Sequence, residues 1–411
     1  MIETKAATYD VGGVLLERPF KIRRIGHFGL NAIHMEDCLR FYTEDLGLRI
    51  SDRRDMGERA ERPEDIAGFG DAGGYFMRYG TDHHSFVLFN KRVREATDKL
   101  RTFAPGVVVN QISWQVGSLA EVVNGREWLA NDGLKIQRSG RDMPGSNWHT
   151  YFYDPDGHTN ELYYGMEQIG WDARSKPFPT WDEFVFRETP PLPQIPEDEE
   201  LRRAAQRGED LNAGSANRDS LAGAGYDVDG VLLPRPFKII KGGPLSLFVK
   251  DIDAAVAFYT HRLGLTISEE TVWGGRRCVF LRANTEHHTI ALYPVELREA
   301  LALRPDSTTL AFGFQVGTYR QLRDARAFLA QRGARFVELP PALHPGIDYA
   351  LHVLDPDGQA VQLYFSMEQI GWDGKARPAA TRPNPAPNAW PETIPAQPDT
   401  YGGETLLGPL G

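Results

Sequence analysis

The chain is predicted to be an α+β protein built of four β-α-β-β-β modules, two to each domain. Three observations predict this. A long segment recurs along the chain, each copy splits again into two stretches of the same strand–helix–strand rhythm, and one turn sequence precedes the last strand of both copies.

The recurrence rests on several anchors. "YDVGGVLLERPFKI" at 9–22 returns as "YDVDGVLLPRPFKI" at 226–239, and "FYTEDLGLRIS" at 41–51 returns as "FYTHRLGLTIS" at 258–268. Further on, "DHHSFVL" at 82–88 matches "EHHTIAL" at 286–292, "SWQVG" at 113–117 matches "GFQVG" at 313–317, and 154–172 matches 355–373 through "DPDG" and "MEQIGWD". The first copy is longer because it carries the charged, Gly-rich stretch at 53–74, which reads as a surface loop able to cover a ligand.

Within the first copy, "IGHFGLNAI" alternates as a strand. "MEDCLRFYTEDLG" has apolar residues at helical spacing and stops at Gly47, and "LRIS", "GYFMRYG" and "HSFVLFN" read as three more strands. The order repeats as "NQISWQVG", a helix from about Leu119 to Asn131, "KIQRSG", "HTYFYD" and "TNELYYG", with "DPDG" turning between the last two.

These boundaries divide the chain into a first domain at 1–177, a linker at 178–223, a second domain at 224–375 and a Pro-rich tail at 376–411. The linker begins Pro-rich, turns charged and contains one short helical pattern, "EDEELRRAAQRG". The tail is too rich in proline for regular helix or central strand, and reads either as disordered or as lying on a neighbouring surface through Trp390, Tyr401 and Leu406. The repeated "RPFKI" and "MEQIGWD" read as packing signatures, with Trp171 and Trp372 expected to pin each chain exit.

Composition narrows the function. With 41% apolar and 25% charged residues the chain is globular in class, and no apolar run reaches the roughly 20 residues that span a bilayer. A formal charge of -10 disfavours nucleic acid and anionic lipid, both of which need a basic face. Two cysteines, Cys38 and Cys278, are too few for a disulfide framework, and the N-terminus lacks a secretory pattern, so a cytoplasmic location is expected. A small molecule is the expected partner.

The copies differ where chemistry could reside. His27 in "IGHFGL" corresponds to Pro244 in "GGPLSL", and Glu161 in "HTNELYYG" to Gln362 in "QAVQLYFS". One copy therefore retains metal-type side chains, and the other reads as scaffold. By the two-residue period of a strand, His149, Tyr151 and Tyr153 share one polar, aromatic face suited to a wet pocket.

Paired modules carrying "FYT..LGL" after the first strand and "DPDG" before the last carboxylate resemble the vicinal oxygen chelate superfamily. Four modules in one chain and the phrase "DHHSFVLF" are most similar to its type I extradiol ring-cleavage dioxygenases. The resemblance covers roughly 20–170 and 237–373. It implies one divalent metal, usually Fe(II), with Mn, Co, Ni or Zn as alternatives. Its ligands would be His27, a residue on the first strand of the next module, and Glu161. Alignment puts Gln111 at that second position, where the family has His. The resemblance also implies an acid–base role for His84 and hydrogen bonding by Tyr151, ten residues before Glu161, beside His149.

An aromatic vicinal diol and O₂ are then the expected substrates, and assembly as a homo-oligomer is expected. Two other readings stay open. Gln111 is also compatible with Lewis-acid isomerase or lyase chemistry without oxygen, and the cupped sheets could simply sequester a small molecule. Against a catalytic role for His84 stands its repetition as His287 and His288, where no ligands survive.

Overall fold

The computed structural model describes residues 8–395 apart from 99–103, 105, 142–143, 146, 179–191, 193–194, 218–222, 372 and 384. Its first half builds one eight-stranded sheet from β1 (Arg24–Ala32), β2 (Arg49–Asp55), β3 (Gly73–Arg78), β4 (Phe86–Asn90), β5 (Val109–Gln115), β6 (Ile136–Arg141), β7 (Trp148–Tyr153) and β8 (Thr159–Tyr164). The strands lie in the order β2-β3-β4-β1-β5-β8-β7-β6. In each module the first strand runs parallel to the last, β1 with β4 and β5 with β8, and the modules join where β1 and β5 pair antiparallel. The α+β, doubly modular expectation holds.

The second half repeats the sheet with β9 (Ile239–Val249), β10 (Thr266–Trp273), β11 (Arg276–Arg282), β12 (Ile290–Pro294), β13 (Thr309–Val316), β14 (Arg335–Phe336), β15 (Ala350–Leu354) and β16 (Ala360–Tyr364). The first strand of each module sits at the sheet centre and is largely buried on both faces, in β1 mostly through apolar and small residues and in β5 with Asn110, Ser113 and Gln115 buried among Val109, Ile112 and Trp114.

Local chemistry sets the helices. The helix Leu119–Asn131 starts where the Ser118 side chain accepts the Glu121 amide hydrogen, and Thr318 caps Tyr319–Gln331 in the same way. The helix Met35–Arg40 widens into a π turn at Phe41–Asp45, a shape repeated after Ile252–Ala257. A further helix, Lys91–Thr97, was not expected; Asn90 caps it by accepting the amides of Arg92 and Val93. Each "YDV.GVLL" forms a two-stranded hairpin, because Gly12 and Gly13, like Asp229 and Gly230, take the positive φ such tight turns require.

The halves share a core. Phe28 packs against Phe312 and Phe314, with ring centroids 5.2 and 5.8 Å away, and Phe86 stacks on Phe312. Each "DPDG" turn also serves the other half: Asp357 accepts the backbone amides of Ile33 and His34, while Asp156 accepts that of Lys250.

Of the repeated motifs, "RPFKI" behaves as a packing signature, with Phe20 and Phe237 fully buried. "MEQIGWD" packs through Met166 and Ile169 and again through Met367 and Ile370, but Trp171 is fully exposed and pins nothing, and Trp372 lies outside the described residues. The 53–74 loop folds inward, setting Met56, Ile66 and Phe69 against Val87, Phe89 and Phe76. The short helix at Glu197–Gln206 buries Glu200 against Arg141. In the tail, Trp390 packs on Tyr319 and Tyr349; Tyr401 and Leu406 lie outside the described residues. Both cysteines are buried, and burial raises their thiol pKa values. Among the described residues, no helix is long and apolar enough to cross a membrane.

Candidate metal centre

Four neighbouring strands assemble the site through their register. His27 on β1 lies opposite Ser113 on β5, Ser113 opposite Glu161 on β8, and Glu161 opposite Tyr151 on β7. Residues opposite one another project from the same face, as do residues two apart on one strand. Gln111, His149 and Tyr163 therefore join that face, and His84, from the loop before β4, brings its ring centroid to 4.5 Å from that of His27. All six residues predicted for the site converge.

The centre of the cluster is dry. His27 and Glu161 are 1% and 0% exposed, and His27 Nε2 stands 3.0 Å from Glu161 Oε2. That separation is within ion-pair range, yet neither His27 ring nitrogen has a hydrogen-bond partner in acceptable geometry. Buried polar atoms are nearly always bonded, so two unmet nitrogens beside a carboxylate call for a ligand. A cation fits. Nitrogen and oxygen ligands at about 2.0–2.2 Å from one metal, set at right angles, lie roughly 3 Å apart.

Glu161 is held from several sides. Ser113 donates its hydroxyl hydrogen to Oε2, and Asn147 donates an amide hydrogen to Oε1 at 2.7 Å. Burial works against ionisation, but attraction to His27, with hydrogen bonding from neighbours that include Ser113, outweighs it and brings the pKa down to about 2. The Gln111 amide nitrogen is 3.5 Å from Glu161 Oε2 and 3.4 Å from Ser113 Oγ. A half-turn of that amide exchanges its nitrogen for its oxygen. Among the described residues, no set of three His, Cys, Asp or Glu side chains forms a metal-ligating cluster. A third protein ligand would be the Gln111 amide or the Ser113 hydroxyl.

The surrounding groups are poised for proton handling. His84 Nδ1 faces His83 Nδ1 at 3.0 Å, and His83 Nε2 faces Asp52 at 2.8 Å. With Asp52 accepting from His83, and His83 in turn accepting from His84, the second ring nitrogen of His84 is left without its proton. Burial, then the neighbouring His27 and His83, hold the His84 pKa well below the usual imidazole value. The same chain recurs as Glu269, His287 and His288 in the second half, so it also has a structural use. His149 accepts from Arg138 at 2.8 Å, and the Arg138 guanidinium lies 4.3 Å over the Tyr151 ring.

Ser113, Asn147, Arg138 and Tyr163 were missed by the sequence reading. The signal for two of them was the strand period: Ser113 is two residues after Gln111, and Asn147 two before His149. In the second half the corresponding side chains bond within the protein. Tyr364 donates to the Gly243 carbonyl at 2.8 Å, and Gln362 bonds His352 at 2.9 Å.

Comparison with known proteins agrees with this architecture. The family description Glyoxalase/Bleomycin resistance protein/Dioxygenase superfamily matches residues 24–162 and 242–363. Over 136 residues the chain is 30% identical to Metapyrocatechase 2 of Cupriavidus necator, a match covering 33% of this chain and 34% of the relative. The chain thus spans about a third of the length of that curated relative. Among solved structures, the 2,3-dioxygenase LapB from Pseudomonas sp. KL28 superposes with a TM-score of 0.54 at 16% identity, covering 86% of this chain and 95% of that one. The Mn(II)-bound glyoxalase from Novosphingobium aromaticivorans gives a TM-score of 0.50 at 16% identity, covering 86% and 85%. At these identities the likeness is one of fold.

Proposed function

Because the chain belongs to the glyoxalase/bleomycin resistance protein/dioxygenase superfamily, we propose that its first half is a divalent-metal site for extradiol-type oxidation of a small aromatic vicinal diol. The observation that carries this reading is the buried pair of His27 and Glu161, 3.0 Å apart and out of hydrogen-bond alignment. His27 and Glu161 would hold the ion, with Gln111 completing the set, and Fe(II) is the ion this reaction calls for. A divalent cation there supplies Lewis acidity, lowering the pKa of a diol's hydroxyls and fixing their oxygens for reaction with O₂.

The residues of the chain do the rest. Neutral His84, its proton held on the side facing His83, takes a hydroxyl proton from the substrate and later returns it. Tyr151 lies opposite Glu161 and presents a hydroxyl to the reacting oxygens, while Arg138 and His149 fix the Tyr151 ring. Phe76, 5.1 Å from His84, together with the inward-folded loop, keeps water from that side.

A second reading follows from one observation: the residues beside the pair are an amide and a hydroxyl, Gln111 and Ser113, where a second imidazole would complete the set expected for iron. These harder donors suit Mn or Zn and a glyoxalase-type isomerisation without O₂. Metal analysis of protein purified without chelator tests the site. His27→Ala and Glu161→Ala should each abolish the bound ion, and unchanged metal content in both would overturn the assignment. Oxygen uptake with a panel of catechols under Fe(II) then tests the first chemistry, and none with any diol would rule it out.

A further inference from the structure

A cavity of about 390 Å³ opens in the second half, where Pro244 and Gln362 stand in place of His27 and Glu161. Its origin is legible in the chain. The edge strand of the first half, β6, runs for six residues, but its counterpart β14 has only two, Arg335–Phe336, because Pro340 and Pro341 follow. Proline has no amide hydrogen to give a strand ladder, so the edge stops and the space beside β15 is left unfilled. Where Arg138 covers Tyr151 in the first half, Glu338 turns to the rim and His352, the counterpart of Tyr151, looks into the gap.

The walls are mostly apolar: Phe336, Leu339, Pro340 and Leu351 from the domain, with Pro385 and Pro387 of the tail laid across. The tail is clamped on both sides of this lid. Arg382, 8% exposed, pairs with Glu269 at 2.6 Å and Glu368 at 3.3 Å, and Trp390 packs on Tyr319 and Tyr349 while bonding the Pro385 carbonyl. Inside, His344 turns its two ring nitrogens to the carbonyls of Ile347 and Leu339. His352 is different. Its Nε2 accepts from the Gln362 amide at 2.9 Å, which places its proton on Nδ1, and Nδ1 has no partner among the described residues.

We propose that this space is a second ligand site, which takes an uncharged single-ring aromatic carrying one oxygen acceptor for the His352 Nδ1–H. Flat proline and phenylalanine faces suit a ring, the volume lies in the range of small-molecule pockets, and a single inward donor suits a single acceptor. Charge gives no net preference, because Asp348 is held by Arg377 and, of the other charged lining residues, Arg326 is offset by Glu338; recognition falls to the apolar walls and His352. The site is independent of any metal in the first half.

The test is equilibrium dialysis of the full chain against phenol, toluene and benzoate. Phenol should bind equally to the wild type and to Glu161→Gln, which marks the site as separate from the first. His352→Leu should weaken phenol about tenfold while leaving toluene unchanged, as expected for loss of one hydrogen bond. Ala350→Phe, which fills the space, should abolish both. Absence of phenol binding, phenol binding that survives both substitutions in the second half, or tighter binding of benzoate than of phenol would overturn the proposal.

Discussion

Tyr42, in the π turn of the first half, donates its hydroxyl hydrogen to Asp355 of the second at 2.7 Å, and Tyr259 returns the same bond to Asp154 at 2.8 Å. The two aspartates nevertheless differ in acidity. Asp154 has His158 at 2.8 Å, whereas Asp355 has Gln359 in that position and is raised to about 7, mainly by burial.

Asp355 therefore makes stability fall as pH rises. Its folded pKa of about 7 exceeds its ordinary 3.8, so the folded state keeps a proton that the unfolded chain releases across that window. Chemical denaturation should show the protein less stable at pH 8 than at pH 4, by on the order of 3 kcal/mol from this residue. Asp355→Asn should flatten that slope, and an unchanged slope would remove Asp355 as its source.

The Asp154–His158 pair has the opposite consequence. Burial opposes both charges, but their mutual attraction wins, lowering the pKa of Asp154 and raising that of His158. The Asp154 contribution is present above 3.8 and lost as pH falls; that of His158 is complete below 6.5 and lost as pH rises through its raised value. Between about pH 4 and 6.5 both are present. His158→Gln should cost roughly 3 kcal/mol at pH 6 in urea denaturation, with a smaller loss at pH 3.

Ser113 orients Glu161 by its hydroxyl. Ser113→Ala should leave the fold intact and weaken metal binding about 10- to 100-fold, as measured by competition with a chelating dye. Unaltered affinity would show that the hydroxyl plays no part in holding the carboxylate.

Gly26 is required by its neighbour. A Cβ at this position would fall 1.5 Å from Tyr163 Oη and 2.3 Å from the ring carbon that bears it. Gly26→Ala should destabilise by about 1–3 kcal/mol and displace the Tyr163 ring from His27. Adding Tyr163→Ala should cost less in the Gly26→Ala background than in the wild type, which a double-mutant cycle measures.

Much of this architecture is legible in the sequence because strand and helix periods differ and because repetition confirms each assignment. The helix at Leu119–Asn131 and the strands bearing His27, Glu161 and Tyr151 follow from spacing. Ser113 and Asn147 share the two-residue period of Gln111 and His149, but that period gives only the face, and the register across β1, β5, β8 and β7 is what brings them to Glu161. The Lys91–Thr97 helix is too short for its period to register. Trp171 marks a different limit: a repeated motif says that the backbone path is repeated, not that an opposing surface awaits the side chain.

The crossed service of the "DPDG" turns has a consequence for both copies. Each copy closes the helix start of the other and lends rings to a common interior, so a lone copy would be left with Phe28 or Phe312 bare to water and amides unsatisfied at Ile33 or Lys250. The two copies can differ at single positions, as they do where Pro244 and Gln362 stand in place of His27 and Glu161, but neither can be removed without baring the other. Each copy is an obligate chaperone of its sibling's shape.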